Sequence, residues 1–504
     1  MGLVKGVVVV PVAMSMAAFG LAAAAPPAAA DVTIPTINCP ASGSSTSLVD
    51  FDGDGVADAV VAVPGANGGM GAIEVRYSRG TSTTTFSPGD GVIPAVTAAG
   101  PPLTFATLDA NYDGCTDLAI GIPSYTDGGV AAAGAVQLLY GSKDGFVTGP
   151  LITPSNASLP GDAQAGEHFG YALAGLSNEL TVGAPGWSPT VSGAQPTPRA
   201  GEAIAMRFDY YQQSGFDNVW AIRKSFPHAG DRLGTVVAPS IAAAPTATGH
   251  GKNHAGCIAW STSTADVGAY CGHHDNDRLG ASLSYSYVAG VGYALFAGAP
   301  THEVAVTSVV KHGKHKGKKV TRTVKDAGVV EQFALIRTAG SPTLKLEATI
   351  SQGSPRVPGD PTKGNEFGSA ITTFNGKKPL LAISAPGAKV NGHAHAGAVF
   401  LRVGAERSSP WQLIDRDVKG VASAATTGDR FGTALSLAGR GYPGTAIDFV
   451  LYVGVPNDSV GGNADAGRVQ IFYGAGSKPR LTGSKFLTEH GGGVAHAQYG
   501  AAVD

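Results

Sequence analysis

Two short acidic segments place oxygen-bearing side chains at alternate positions, a spacing that suits a bound metal ion. They read DFDGDGVAD (50–58) and DANYDGCTD (109–117). Calcium prefers about six to eight hard oxygen ligands, and alternate residues of a tight loop can point such ligands inward. Gly55 and Gly114 allow the sharp turn. Because the carboxylates would repel one another without a cation, both segments predict a site for Ca2+.

Each predicted site uses side chains at positions 1, 3, 5 and 9 and the backbone carbonyl at position 7. The expected ligands of the first site are Asp50, Asp52, Asp54, Val56 and Asp58, and those of the second are Asp109, Asn111, Asp113, Cys115 and Asp117. Since position 7 needs only its carbonyl oxygen, the thiol of Cys115 remains available for a disulfide.

These segments have three alternative interpretations besides a strand-bounded calcium loop. A helical EF-hand would place glutamate at position 12, but Val61 and Ile120 stand there, inside apolar runs. Magnesium resists dehydration and rarely uses an all-protein cage. Asp-Gly hairpins with solvated carboxylates need no metal at all. If calcium does bind, it can serve mainly to brace the fold.

A two-part unit recurs along the chain about every 65 residues. One part is a turn that ends in an aromatic residue or leucine before glycine: GEHFG (166–170), GDRLG (230–234), NDRLG (276–280), GNEFG (364–368), GDRFG (428–432) and AQYG (497–500). The other is an apolar run closed by a Gly-x-Pro-like turn: VAVPG (61–65), IGIPS (120–124), VGAPG (182–186), AGAPT (297–301), ISAPG (383–387) and VGVPN (453–457). Such short β-branched runs between turn residues predict strands, and their repetition predicts antiparallel blades.

The number of units predicts an all-β fold, a seven-bladed β-propeller over residues 48–504 with four-stranded blades. The first unit has no aromatic-glycine turn before it, whereas the chain ends with an unmatched one at Tyr499-Gly500. Pairing of the C-terminal strand into the first blade would close the ring and remove exposed edges. The unit between 233 and 279 lacks a clear Gly-x-Pro turn and is the most degenerate.

The combined pattern resembles the FG-GAP repeat family, whose seven-bladed propeller forms the head of integrin α subunits and occurs in many exported bacterial proteins. The resemblance rests on the Phe-Gly and Gly-Ala-Pro pieces given above and covers nearly all of 48–504. It implies strand-bounded calcium loops with a mostly structural role, and a part in adhesion or recognition. Leu or Tyr replaces Phe in three units, the fourth unit lacks Gly-Ala-Pro, and the fifth is enlarged.

The N-terminus predicts export. Lys5, the apolar run 7–25 and the small residues up to Ala30 form the three parts of a signal peptide (1–30), which leaves an extension (31–47) before the propeller. A membrane anchor is the alternative, but Pro11 and Gly20 make the run a weak span. We expect a secreted, extracellular monomer with no membrane span after cleavage.

Four cysteines fit an oxidising compartment and allow three pairings. The short intervening loop favours Cys257–Cys271, which leaves Cys39–Cys115. Zinc is the alternative, but the sequence has no CxxC pair.

Charge gives no general reason to expect nucleic acid or anionic lipid as a partner, because the formal charge is −2. The segment KHGKHKGKK (Lys311–Lys319) predicts a projecting hairpin tip, either a solvated loop or a docking finger for an anionic cell-wall polymer.

A second segment is rich in histidine: His250, His254, His273 and His274, with Asp275 and Asp277. Adjacent histidines on a strand face opposite ways, so a shared metal is not expected there.

Motifs of known enzyme classes are absent: there is no Gly-x-Ser-x-Gly elbow, His-Glu-x-x-His or phosphate loop. We therefore expect no catalytic activity and predict a calcium-binding recognition module for an extracellular glycan or protein. The alternative is a polysaccharide-degrading hydrolase or lyase, with catalytic residues from several blades at the central mouth of the ring. A structural envelope protein is a third possibility.

Overall fold

A computed structural model describes most of the chain from residue 49 onwards. The predicted signal peptide (1–30) and most of the predicted extension (31–47) lie outside the described residues, as do Lys311 and Lys314 of the basic segment. The described residues are 37, 39, 49–78, 82–96, 100–156, 158–189, 197–209, 215–224, 227–261, 267–288, 292–309, 315–336, 343–374, 379–404, 409–418, 421, 423–439, 449–475, 480–489 and 494–504.

Seven antiparallel blades make up the fold, as predicted. The strands of blades 1 to 3 are β1 (Ala59–Val63), β2 (Ala72–Arg76), β3 (Thr83–Phe86); β4 (Thr104–Leu108), β5 (Asp117–Ile122), β6 (Ala135–Tyr140), β7 (Val147–Ile152); β8 (Ala172–Leu176), β9 (Glu179–Ala184), β10 (Glu202–Phe208) and β11 (Phe216–Ile222). Those of blade 4 are β12 (Val236–Ala238), β13 (Ile241–Ala244), β14 (Cys257–Ser261) and β15 (Val267–Cys271). The helix α1 (Ala66–Gly69) is a single turn.

Blade 5 contains a hairpin between its second and third strands. Its strands are β16 (Ser282–Val288), β17 (Gly292–Ala299), β20 (Val329–Ile336) and β21 (Thr343–Ile350), with β18 (Val304–Val309) and β19 (Lys319–Val324) forming the separate hairpin. Blades 6 and 7 consist of β22 (Ile371–Phe374), β23 (Leu380–Ala385), β24 (Ala398–Val403), β25 (Trp411–Ile414); β26 (Leu435–Gly439), β27 (Phe449–Val455), β28 (Arg468–Ala475) and β29 (Arg480–Leu487). Among the described residues no helix is long and apolar enough to cross a bilayer.

The C-terminus closes the ring as the sequence predicts. Val60 N–H donates to the Asp504 carbonyl (3.0 Å), and Asp504 N–H donates back to Val60 (3.1 Å). Ala62 N–H donates to Ala502 (3.0 Å), so residues 500–504 supply the inner strand that β1–β3 lack. The remaining first strands of the blades, β4, β8, β12, β16, β22 and β26, pack against one another in sequence.

The repeated aromatic-glycine turn joins each blade to the one before it. Phe169 is fully buried between the cores of blades 2 and 3, and the other five aromatic or leucine residues occupy corresponding inter-blade positions: Leu233, Leu279, Phe367, Phe431 and Tyr499. The following glycine has a left-handed backbone, with φ of +89° at Gly170, and a Cβ there would lie 2.5 Å from the Ala135 carbonyl oxygen. The motif is therefore a packing device that only glycine can complete.

The turn missing from the fourth unit is present in a changed form. Ala243-Ala244-Pro245 stands at the end of β13, as Gly183-Ala184-Pro185 stands at the end of β9. Ala247 N–H donates to the Ala244 carbonyl (3.0 Å), as Trp187 N–H donates to Ala184 (3.2 Å). An alanine in place of the glycine hid this turn from the pattern.

Blade topology separates the loops into two faces. Because the strands are antiparallel, the connection from the first to the second strand of a blade lies at one end, and the connections between the second and third strands and between blades lie at the other. The second acidic segment is a connection of the first kind, and the first acidic segment leads into β1 at the same end of the strands, where the two are hydrogen-bonded to each other. The two segments define the acidic-loop face. The hairpin β18–β19 and the histidine-rich segments belong to the opposite face.

Removal of residues 501–504 should destabilise the whole ring. It breaks the backbone hydrogen bonds to β1, worth about 1 kcal/mol each, and removes the buried side chain of Val503, which is 9% accessible. We expect a loss of about 5 kcal/mol in the free energy of unfolding, measured by urea denaturation.

The substitution Ala502→Ser is the matched control, because this side chain is exposed within the same strand. An unchanged urea midpoint in the truncated chain would contradict closure by the C-terminus.

Candidate metal loops and ligand cleft

The first acidic loop brings three of its four predicted carboxylates together, and Asp54 is not in that group. Oxygen atoms of Asp50, Asp52 and Asp58 lie within 4.8 Å of one another. Asp50 accepts hydrogen bonds from the N–H groups of Asp54 (3.1 Å) and Gly55 (2.8 Å), which wrap the loop around it. The Asp54 carboxylate accepts from Val56 N–H (2.8 Å). This all-oxygen cluster on a tight loop is the donor set that Ca2+ prefers.

The second acidic loop repeats the contact between positions 5 and 7 and has an amide at position 3. Asn111 accepts from Asp113 N–H (3.2 Å), and Asp113 accepts from Cys115 N–H (2.9 Å). The Oδ1 atom of Asp109 is buried without a hydrogen-bond partner among the described residues. A buried, unsatisfied carboxylate oxygen at position 1 is the environment that a cation would complete.

The aspartate at position 9 holds both loops to their blades. Asp58 accepts from the N–H groups of Phe51 (2.9 Å) and Ser78 (2.8 Å). Asp117 does the same with Ala110 (2.8 Å) and Gly141 (2.9 Å). Each of these carboxylates therefore stabilises the position of its loop, in addition to the predicted contact with the metal.

The two acidic loops also contact each other. Thr116 N–H donates to the Asp50 carbonyl (2.8 Å), and Asp50 N–H donates to the Thr116 hydroxyl (2.9 Å). The loops therefore join blade 1 to blade 2 on the acidic-loop face. Any ion bound in one loop would stabilise the neighbouring loop through these bonds.

Without a cation, burial shifts the carboxylates of these loops towards their neutral forms. Desolvation raises the pKa of Asp50 to about 6, of Asp58 to about 7 and of Asp109 to about 6. Burial likewise raises the pKa of Asp113, and that of Asp117 well above its usual range. Charge repulsion between neighbouring carboxylates adds to the shift at Asp50 and Asp58.

Both predicted disulfides are present. Cys257 pairs with Cys271 across β14 and β15, and Cys39 pairs with Cys115. The second bond ties the N-terminal segment to position 7 of the second acidic loop. The Cys115 sulfur is thus occupied, which leaves its carbonyl oxygen as the predicted metal donor, while the matching residue of the first loop is Val56.

The opposite face carries a polar cleft of about 560 Å3 beside blade 4. Its lining comes from three connections: Ala229, Gly230 and Asp231; Thr246, Thr248, Asn253 and His254; and Asp275 and Asn276. Asp231 accepts from Lys224 Nζ (3.0 Å), and Asp275 lies 3.6 Å from Lys252 Nζ. Since each carboxylate has a lysine partner, the cleft presents paired charges, amides and hydroxyls. We call it the blade 4 cleft.

The histidines near this cleft form two separate pairs of rings and do not surround one shared point as metal ligands would. His250 and His273 stack at 4.4 Å between ring centroids, and His274 meets the edge of His302 at 5.3 Å. His302 Nδ1 lies 3.1 Å from Asp277. Burial acts to lower the pKa of His302, but the hydrogen bond to Asp277 and nearby carboxylates outweigh it and raise the pKa.

Sequence reasoning missed His302 and Glu331 because they lie far from the histidine-rich segment along the chain. Burial raises the pKa of Glu331 to about 7, and the His302 charge opposes that shift. The Oε2 atom of Glu331 is buried without a hydrogen-bond partner among the described residues. Only the ring topology, which places blade 5 beside the turn at Asp277, brings these groups together.

The inner strands hold few reactive side chains. The described strands β4, β8, β12, β16, β22 and β26 contain no acidic, basic or histidine residue, and Asp504 stands on the C-terminal strand. The Asp504 carboxylate accepts from Ser436 (2.8 Å) and contacts the Thr107 hydroxyl. The ionisable residues of the acidic loops and of the blade 4 cleft thus lie outside these six inner strands.

Comparison with known proteins finds matches to the FG-GAP repeat and to integrin alpha subunits. Residues 42–80 match the FG-GAP repeat. Integrin alpha pat-2 of Caenorhabditis elegans is 31% identical over 156 residues, which covers 28% of this chain and 12% of that protein. The Caenorhabditis briggsae protein of the same name is 30% identical over the same shares. The match thus spans only a small part of these curated relatives.

Among solved structures, a provisionally assigned 6-phosphogluconolactonase from Bacteroides uniformis is similar over 85% of this chain and 82% of that one. Its sequence identity is 10% and the TM-score is 0.35.

Removal of one loop's first carboxylate should remove one calcium ion. We expect two ions for the parent chain by isothermal titration calorimetry, and one for either Asp50→Asn or Asp109→Asn, because each variant loses a carboxylate on which the oxygen cluster depends. Asp144→Asn, a change of an exposed carboxylate elsewhere, should leave two.

The calcium affinity measured by the same titration should fall as the pH is lowered from 8 to 5.5, because protons compete with the metal for Asp50 and Asp58. Without calcium the raised folded-state pKa values mean that stability from these groups is present below about pH 4 and is lost as the pH rises through about 7. Calcium should therefore stabilise the fold most at pH 8. Absence of uptake at pH 8 would favour solvated Asp-Gly hairpins.

Loss of the Cys39–Cys115 bond should weaken the second loop alone. In C39S/C115S we expect about a tenfold lower calcium affinity at one of two sites, since the bond anchors the residue at position 7. The variant C257S/C271S removes the other disulfide, far from both loops, and should keep both affinities. Equal weakening of both sites in C39S/C115S would instead indicate a general loss of stability.

Proposed function

We propose that the chain is a secreted, calcium-binding FG-GAP propeller that recognises an extracellular glycan or protein without catalysing a reaction. Two bound calcium ions, one in each acidic loop, would brace blades 1 and 2 on the acidic-loop face. Recognition would take place on the opposite face. The two disulfides support an oxidising compartment.

The observation that carries the recognition role is the blade 4 cleft. Its amides, hydroxyls and lysine-paired carboxylates can exchange hydrogen bonds with a hydroxylated ligand while adding little net charge. Asn253 N–H also donates to Asp275 (2.9 Å), which fixes one wall of the cleft. A fixed polar wall favours specific binding because fewer groups must be ordered when the ligand arrives.

The acidic loops support a bracing role for calcium in this proposal. They lie at the other end of the strands from the cleft, and their carboxylates are tied into their own loops and blades. Calcium would then affect ligand binding through stability of the ring and not through direct contact.

A polysaccharide-degrading enzyme is the second candidate, favoured by the two carboxylates and one histidine that line the same cleft. The cleft is formed by the connections before, within and after blade 4. If soluble products appear from a polysaccharide and Asp275→Asn abolishes them, this candidate replaces the first.

His254→Ala should reduce ligand retention. The measurement is retention of the secreted chain on a panel of cell-wall, polysaccharide and matrix ligands, with calcium and with chelator. We expect about three- to tenfold weaker retention on the ligand that binds, the effect of losing one hydrogen bond of about 0.5–1.5 kcal/mol.

His395→Ala is the matched control, because His395 occupies the corresponding loop of blade 6 away from the cleft. Both histidines are exposed and have similar backbones, with φ of +50° at His254 and +53° at His395. Equal losses in both variants, or retention on no ligand, would count against recognition at the cleft.

A further inference from the structure

The β18–β19 hairpin stands out from blade 5 on the face that carries the blade 4 cleft. Its base is anchored by Val304, which packs against the core, and by Val324, which is buried. All described residues from 315 to 323 are exposed. An isolated two-stranded hairpin has little stability of its own, so its extension beyond the packed base needs a reason other than core formation.

The hairpin concentrates positive charge in a chain that is otherwise acidic. Residues 304–325 contain six lysines and one arginine and no acidic residue. Because the whole chain has a formal charge of −2, the remainder carries −9 (−2 minus 7). Five of the seven cations are among the described residues: Lys316, Lys318, Lys319, Arg322 and Lys325. The charge is therefore segregated onto one projecting element.

The cations occupy both sides of the ribbon. Lys319 pairs in register with Val309 and Arg322 with Val306, so their side chains lie on opposite faces. Lys325 lies 3.7 Å from Glu303, whereas in the described part of the chain no carboxylate forms an ion pair with Lys316, Lys318, Lys319 or Arg322. A flexible linear polymer can contact both faces, which a flat surface cannot.

The composition of the hairpin limits the chemistry of the partner. Residues 304–325 contain no Phe, Tyr or Trp, so the hairpin lacks platforms for stacking sugars or bases and anchors for a membrane interface. Lysine predominates, and its ammonium group binds phosphate as a point charge without fixed geometry. We propose that Lys316, Lys318, Lys319 and Arg322 of this hairpin form a binding site for a linear phosphate polymer, separate from the blade 4 cleft.

The test is a binding titration of the full secreted chain with fluorescently labelled linear poly(glycerol phosphate), followed by anisotropy. The variant K316A/K318A/K319A/R322A should bind at least about tenfold more weakly. With four phosphate contacts, affinity of the parent chain should fall about 50-fold between 50 and 200 mM salt, by analogy with single-stranded nucleic acids.

The matched control is K143A/K345A/K363A/K389A, which removes four exposed lysines elsewhere and lowers the net charge equally. It should retain the parent affinity and salt dependence. Equal loss in both variants would attribute binding to net charge and overturn the proposal, as would no binding by the parent. Urea midpoints of both variants confirm that each is folded.

Two further binding measurements distinguish the phosphate polymer from a carboxylate polymer and from a lipid surface. Hyaluronate should bind more weakly than the phosphate polymer, and vesicles containing phosphatidylglycerol should not retain the chain at 200 mM salt. Preference for either would overturn the proposal. His254→Ala should leave polymer binding unchanged, so failure of the cleft as a recognition site and failure of the hairpin are separate results.

Discussion

The pairing of residues 500–504 with β1 (Ala59–Val63) fixes the position of every other blade. Each blade packs its inner strand against the next, so a ring with one open joint would expose two strand edges and the apolar surface between blades 7 and 1. Tyr499 reinforces the joint: its hydroxyl donates to buried Glu74 (2.9 Å), which also pairs with Arg76. This contact gives a reason for tyrosine where other units use phenylalanine or leucine.

The closed ring also places different functional groups on its two faces. The acidic loops lead into β1 and β5 and meet at the joint between blades 1 and 2, where Thr116 and Asp50 bond to each other. The blade 4 cleft and the basic hairpin arise from the connections at the other end of the strands. A stabilising role for metal and a binding role for the opposite loops can therefore coexist without sharing residues.

Local patterns in the sequence predict the parts of this molecule that each unit repeats. The aromatic-glycine and Gly-x-Pro turns predict seven blades because each motif makes the same backbone contact every time. Alanine at Ala243 hid one turn, since the pattern relied on glycine. Contacts between separate units cannot be predicted this way: His302, Asp277 and Glu331 lie on different segments, and the blade 4 cleft combines three connections. Their proximity depends on ring geometry and not on spacing along the chain.

A crystal structure of the full secreted chain grown with calcium, with an anomalous difference map, tests the central claim most directly. The account predicts two calcium peaks, one coordinated by Asp50, Asp52 and Asp58 and one by Asp109, Asn111 and Asp113, and none in the blade 4 cleft. Absence of both peaks in calcium-saturated crystals would contradict the metal assignment. A peak in the cleft, bound to Asp231 or Asp275, would contradict the separation of metal and ligand sites between the two faces.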